Sequence, residues 1–316
     1  METTWDYADQ REYVRHIQEG MPPVIISAVV TGGHQKSENP AVPVTAEEQA
    51  AAAAEVFEAG ATIIHIHARR ADDPTQASHE AERYRAINEL MRAAAPQILI
   101  DNSQGFADIS TEGSGFLGSA HHYKSAPIEA GPDIMAFNPG PMTFRGGAAY
   151  TGGGAGPSKV TLGSFDSAER TAQRLRERGI KPQVFLYHPG HLDILDYLIE
   201  RDALEKPYFL QLVFGQESGI NTSMDSFLYM VRNLPQDSVF QTCALGLEEL
   251  HVNVMSMLLG GHVRTGLEDC IHFQRGELAQ SNAQMVARIA RIAEELGRGV
   301  ATVEETRRML GIEDVG

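Results

Sequence analysis

The chain is predicted to fold as a single-domain α/β protein, a (β/α)8 or TIM barrel. Three observations carry the prediction. Short apolar runs at 24–30, 62–67, 97–102, 133–137, 183–187, 208–213, 238–242 and 262–267 recur along the chain, most of them followed by an amphipathic segment. They are continuous rather than alternating, as strands covered on both faces must be. A length of 316 residues suits one such barrel. The rival open, doubly wound sheet lacks its mark, because TGGHQKSEN after the first run does not match G-x-G-x-x-G.

The elements follow in order. The N-terminus, METTWDYADQREYVRHIQEG, reads as a polar extension over about 1–22 without the apolar stretch of a signal peptide, so a cytoplasmic location is expected. The first amphipathic helix is predicted over 46–58. Thr45 and Glu48 stand in capping-box spacing before it, and Gly60 stands where a helix stops. Further helices are expected over about 80–94, 167–178, 192–201, 224–233 and 246–259. Ser281 and Gln284 form a second capping-box pattern ahead of MVARIARIAEEL, and C-terminal helices complete one domain over 1–316. Segments 103–123 and 139–163 are Gly-rich and weakly periodic. Both follow strands, which in a barrel places them on the catalytic face. TGGGAG in the loop 146–156 has no lysine in Walker spacing, so it reads as a surface loop before a phosphate cradle.

The balance of charge narrows the partners. A formal net charge of −16 repels phosphate backbones, which argues against nucleic acid, whereas a small anionic substrate needs only a locally positive pocket. Two cysteines, Cys243 and Cys270, cannot build a disulfide framework and read as reduced thiols. No window approaches the uninterrupted apolar length of a membrane span.

The sharpest chemical feature is His65-Ile66-His67 in ATIIHIHARR, at the end of the second run. Residues i and i+2 of a strand share a face, so two imidazoles converge and can bind one divalent metal. The last run ends in GGHVRTGLEDC, whose Glu268 or Asp269 can supply a carboxylate at the same barrel mouth. Two histidines and one carboxylate leave a coordination position open, which is the catalytic zinc pattern. Arg264 can be a structural ion-pair partner or a working group. A charge inside an apolar strand is costly unless it is paired or used.

These residues carry a resemblance. TGGHQKSENPAVPVTAEEQ, EAGATIIHIHAR, ILIDNSQG, LLGGHVRTGLED, AQSNAQMVARIARIAEELGR and VATVEETRRMLG resemble segments of the β-keto acid cleavage enzymes, whose named member cleaves 3-keto-5-aminohexanoate. The likeness runs from about 24 to 310. It implies a (β/α)8 barrel with one zinc at its mouth, held by His65, His67 and Glu268. It implies an Arg264–Asp269 pair and a carboxylate-binding Ser103, and a homotetramer. The implied reaction takes a β-keto acid and acetyl-CoA to acetoacetate and a new acyl-CoA. Asp269, oriented by Arg264, suits a general base, and no covalent nucleophile is needed.

The chain also departs from the family. His34 in TGGH stands where the aminohexanoate enzyme has an acid suited to a substrate ammonium. The fifth run reads QVFLYHPGH, with Gln183, Phe185 and His188 in place of the usual acids. Asn138 is kept in AFNPGP, followed by the unusual Pro139 and Pro141. The substrate end is therefore expected to be rebuilt around His34, Asn138 and His188, with 3-keto-5-aminohexanoate a poor substrate and uncharged or dicarboxylic β-keto acids better. Two other readings stay open: a metal-dependent carbon–carbon lyase or hydrolase that does not use CoA, and a non-catalytic binding barrel.

Overall fold

Each of the eight apolar runs forms a strand: β1 Ile26–Val29, β2 Ile63–Ile66, β3 Leu99–Asn102, β4 Ile134–Phe137, β5 Lys181–Leu186, β6 Tyr208–Phe214, β7 Ser238–Ala244 and β8 His262–Thr265. The structure, a computed structural model, describes residues 4–78, 80–103, 126–144, 159–161 and 163–313. The strands lie in chain order, all parallel, and β8 returns to pair with β1, so the sheet closes into a barrel. In-register neighbours such as Ser27↔Arg264 and His65↔Asp101 point to the same side of the wall.

The barrel is filled in layers. At its N-terminal end Ile25, Ile63, Leu99, Ile134, Phe209 and Val239 form an apolar floor, sealed by Ala301, Met309 and Leu310. Above it lies a polar layer. Ser27 Oγ donates to Gln241 Oε1 at 2.9 Å, and Gln241 Nε2 donates to Gln211 Oε1 at 2.6 Å. The C-terminal ends of the strands, above this layer, carry the candidate site.

The outer shell follows the amphipathic segments: α1 Gln10–Glu19, α2 Ala46–Glu58, α3 Ala81–Ala94, α4 Phe165–Glu177, α5 Gly190–Glu200, α6 Met224–Arg232, α7 Glu249–Leu258, α8 Asn282–Glu295 and α9 Val303–Leu310. The capping box before α2 is complete. The one before α8 is half formed: Ser281 accepts from Gln284 N, but the Gln284 side chain accepts from Gln280 N at 2.9 Å. A single 3-10 turn, Gly246–Glu248, precedes α7, so the segment expected as one helix is two. The β4–β5 connection contains an antiparallel hairpin of Met142–Phe144 with Lys159–Thr161. The Gly-rich loop 146–156 lies outside the described residues, as does most of 103–123.

The N-terminal extension holds a helix and is anchored. Asp9 caps α1, and the buried Trp5 ring stacks on His16 at 4.1 Å. Tyr7 sets its ring edge against Phe240 and donates to Ser238 O at 3.1 Å. Among the described residues no helix is long and apolar enough to cross a membrane.

Candidate metal centre and active site

The site begins with two tight approaches. The turn after β8 starts at Gly266, with φ +150°, where an added Cβ would lie 2.2 Å from Val29 O. That close packing lets Glu268 N donate to Val29 O at 3.1 Å, so the carboxylate-bearing turn is clipped to the end of β1. Gly32, with φ +54°, then passes over Glu268, and a Cβ there would meet Glu268 Cγ at 2.3 Å. Arg69 secures the same loop by donating to Gly32 O at 2.7 Å and His34 O at 2.9 Å.

His65, His67 and Glu268 meet in this corner. Their ligand atoms all lie within 4.8 Å of one another. His65 Nε2 is 3.3 Å from His67 Nε2, and Glu268 Oε1 is 3.1 Å from His67 Nε2 and 3.7 Å from His65 Nε2. Donors bound at 2.0–2.1 Å in a tetrahedron are themselves about 3.3 Å apart, so this spacing is what a zinc-sized cation sets. The second carboxylate oxygen, Glu268 Oε2, is buried with no hydrogen-bond partner. A lone pair left this way costs free energy unless a cation or donor meets it. The donor set therefore fits a divalent metal.

Asp101 orients the first histidine. It pairs with His65 in register and accepts from His65 Nδ1 at 2.7 Å. A carboxylate can only accept, so the imidazole proton sits on Nδ1 and the Nε2 lone pair faces the cluster. Asp101 is held in turn by Ala136 N, which donates to its other oxygen at 2.8 Å.

Arg264 binds the site together. Its Nη2 donates to Glu268 Oε1 at 2.6 Å and to Asp269 Oδ1 at 2.9 Å, and its Nε donates to Asp269 Oδ2 at 2.7 Å. Burial opposes the ionisation of Glu268, but Arg264 and the two histidines outweigh it and hold its carboxyl well below the usual range. Burial pushes the His67 imidazole down, against the pull of Glu268. Cys243, on β7, donates its thiol to Asp269 Oδ2 at 3.4 Å, while burial and then the charge of Asp269 push that thiol well up.

The remaining expected site residues are spread around the mouth. Ser103 is buried one residue past β3, and its backbone N donates to Ile66 O at 3.0 Å, beside the histidine strand. His34 is buried on the loop after β1, but its ring turns to Glu38, 3.1 Å away. Asn138 follows β4 on the opposite rim, and His188 follows β5, packed on His191 with ring centroids 4.1 Å apart. The sequence reading gave no part to Asp101, Arg69 or Cys243. Asp101 had a signal: it is an acid inside the apolar run ILIDN.

A closed parallel barrel with polar working groups collected at the C-terminal ends of its strands defines a barrel enzyme. The chain belongs to the beta-keto acid cleavage enzyme family, whose model matches residues 23–312. It is 30% identical over 294 residues to a 3-keto-5-aminohexanoate cleavage enzyme of Fusobacterium nucleatum, covering 92% of this chain and 99% of the relative. It is also 30% identical over 294 residues to a 3-oxoadipate:acetyl-CoA acetyltransferase of Cupriavidus necator, covering 92% and 95%. Among solved structures, the apo form of ObcA superposes with a TM-score of 0.65 at 17% identity, covering 86% of this chain and 66% of that one. This last likeness supports the barrel fold alone.

Proposed function

We propose that this chain is a zinc-dependent acyltransferase that exchanges acyl groups between a β-keto acid and acetyl-CoA. The observation that carries the reading is the meeting of His65, His67 and Glu268 beside the Arg264–Asp269 pair, in a chain of this family. In the reaction the β-keto acid gives its acyl group to the CoA sulfur, and its remaining two-carbon carboxylate fragment takes the acetyl group. The products are a new acyl-CoA and acetoacetate. The bound zinc would supply Lewis-acid polarisation of the β-keto oxygen.

The other parts are this chain's own. Asp269 accepts the proton from the carbon between the keto and carboxylate groups, on Oδ1, the oxygen with fewer hydrogen bonds. Arg264 holds that carboxylate in a two-point grip, which fixes its direction. Ser103 donates to the substrate carboxylate from the end of β3. The two buried thiols, both free, agree with a reducing cytoplasmic setting.

The test is metal dependence of acyl exchange. Protein purified without added metal should carry close to one zinc per chain and convert a panel of β-keto acids with acetyl-CoA to acyl-CoA and acetoacetate. Chelation should abolish the conversion and zinc should restore it. Unchanged metal content in a His65→Ala, His67→Ala double variant would remove the assigned ligands.

A further inference from the structure

The barrel mouth has two unlike halves. The ends of β1, β2, β3 and β8 carry the histidines, carboxylates and Arg264 described above. Ala136, Phe185, Val213 and Cys243 on β4 to β7, with Tyr187 just past the end of β5, pack together as one apolar cluster. Val213 and Cys243 are in register on β6 and β7. The cluster borders the working groups directly. The Arg264 guanidinium carbon lies 5.7 Å from the Phe185 ring centroid, and the Cys243 thiol meets Asp269. His65, Arg264, Glu268 and Asp269 are buried like these apolar residues, and the contacts of Arg264 and Asp269 with Phe185 and Cys243 set the two groups side by side.

From this juxtaposition we infer that the substrate is a β-keto acid whose far end is uncharged and apolar. The inference rests on the acyl-exchange reading and assigns the β4–β7 wall as its specificity surface. A β-keto acid held by its keto and carboxylate oxygens at the polar half points its variable end across the barrel. There an ammonium or a second carboxylate would lose water without gaining an opposite charge, because the cluster offers none. Among the described residues the neighbouring charges are already engaged. Arg264 is bound to Glu268 and Asp269, Arg69 to three backbone carbonyls, and His34 to Glu38. The pairing of His34 with Glu38 removes the ground for favouring a dicarboxylic acid at that position. The Tyr187 hydroxyl is buried with no hydrogen-bond partner, and burial raises its pKa, so it adds a neutral donor and no charge. This wall has a cause in the chain itself: Phe185 on β5 and Tyr187, one residue past its end, stand two positions apart and pack in the same cluster.

The experiment compares kcat/KM of the zinc-loaded enzyme, with saturating acetyl-CoA, for 3-oxohexanoate, 3-oxoadipate and 5-amino-3-oxohexanoate. The neutral acid should exceed each charged one by at least about tenfold. Equal or better use of either charged acid would overturn the inference while leaving acyl exchange intact. No conversion of any of the three would overturn both. The wall itself is tested by Phe185→Ala and Val213→Ala, read as the ratio of kcat/KM for 3-oxooctanoate over 3-oxohexanoate, in which any common loss of activity cancels. The ratio should rise by about tenfold in at least one variant. An unchanged ratio in both would place the variable end of the substrate elsewhere.

Discussion

The chemistry of the site depends on a few fixed atoms. His65 is useful to a cation only while its proton stays on Nδ1, and Asp101, 2.7 Å away, is what keeps it there. Asp101→Asn should therefore weaken zinc binding by about 10–100-fold, read by competition with a chelator, while the barrel stays folded. Asp269 is a different case, since it touches Arg264 and Cys243 rather than the histidines. Asp269→Asn should lower kcat by roughly 10²–10⁴-fold with zinc content nearly unchanged. Near-normal turnover would take Asp269 out of the mechanism. Of these two residues only Asp269 was named as a candidate; Asp101 stood out as an acid in an apolar run but without a partner. H-x-H is a local pattern readable from strand periodicity, GLED is a pair of carboxylates just past the last strand, and the resemblance assigned them roles. Asp101 becomes the partner of His65 only once β2 and β3 are in register, a non-local fact that spacing along the chain does not contain.

At the scale of elements, the strands were the most legible because a strand buried on both faces must be apolar throughout. The helices were legible where apolar spacing coincided with a cap, as at Thr45. α1 was not, because its sequence is polar, and it is anchored by a Trp5–His16 stack and a Tyr7–Phe240 contact that only the fold brings together. The half-formed box at Ser281 shows the same limit, since the Gln284 side chain has a competing donor in Gln280 N. The loop after β1 offers a direct test. Gly32 holds a positive φ and passes over Glu268, so Gly32→Ala meets both backbone strain and a collision. It should destabilise the fold by about 1–3 kcal/mol by urea unfolding and lower the zinc content per chain. A variant with wild-type stability and full zinc would show that this loop does not set the position of Glu268.

For the whole molecule, acid sensitivity is built into the interior. Burial, with a smaller contribution from His188, lowers the His191 pKa from 6.5 to about 4. Burial likewise holds His262 well below its usual value. Each imidazole stays neutral in the fold and takes a proton in the unfolded chain, so its contribution to stability is present above about pH 6.5 and is lost as pH falls; for His191 the loss spans pH 6.5 to about 4. The urea midpoint should fall between pH 7 and pH 5, and by less in His191→Gln than in the wild type. An equal fall in both would mean that other groups set the acid limit. The barrel was predictable as a class because eight strands and a suitable length leave few alternatives. Its layering was less so. The polar layer of Ser27, Gln211 and Gln241 is set by which strands adjoin, as is the apolar wall opposite the histidines.

The central claim is that two acyl groups change places through acetyl-CoA. The most direct measurement uses acetyl-CoA labelled with carbon-13 in its acetyl group, an unlabelled neutral β-keto acid and the zinc-loaded enzyme, with products read by mass spectrometry. The account predicts that the label appears in acetoacetate, in equal amount with an unlabelled acyl-CoA built from the keto acid. Consumption of the keto acid with the label still on CoA, and a free carboxylic acid in place of the acyl-CoA, would contradict it.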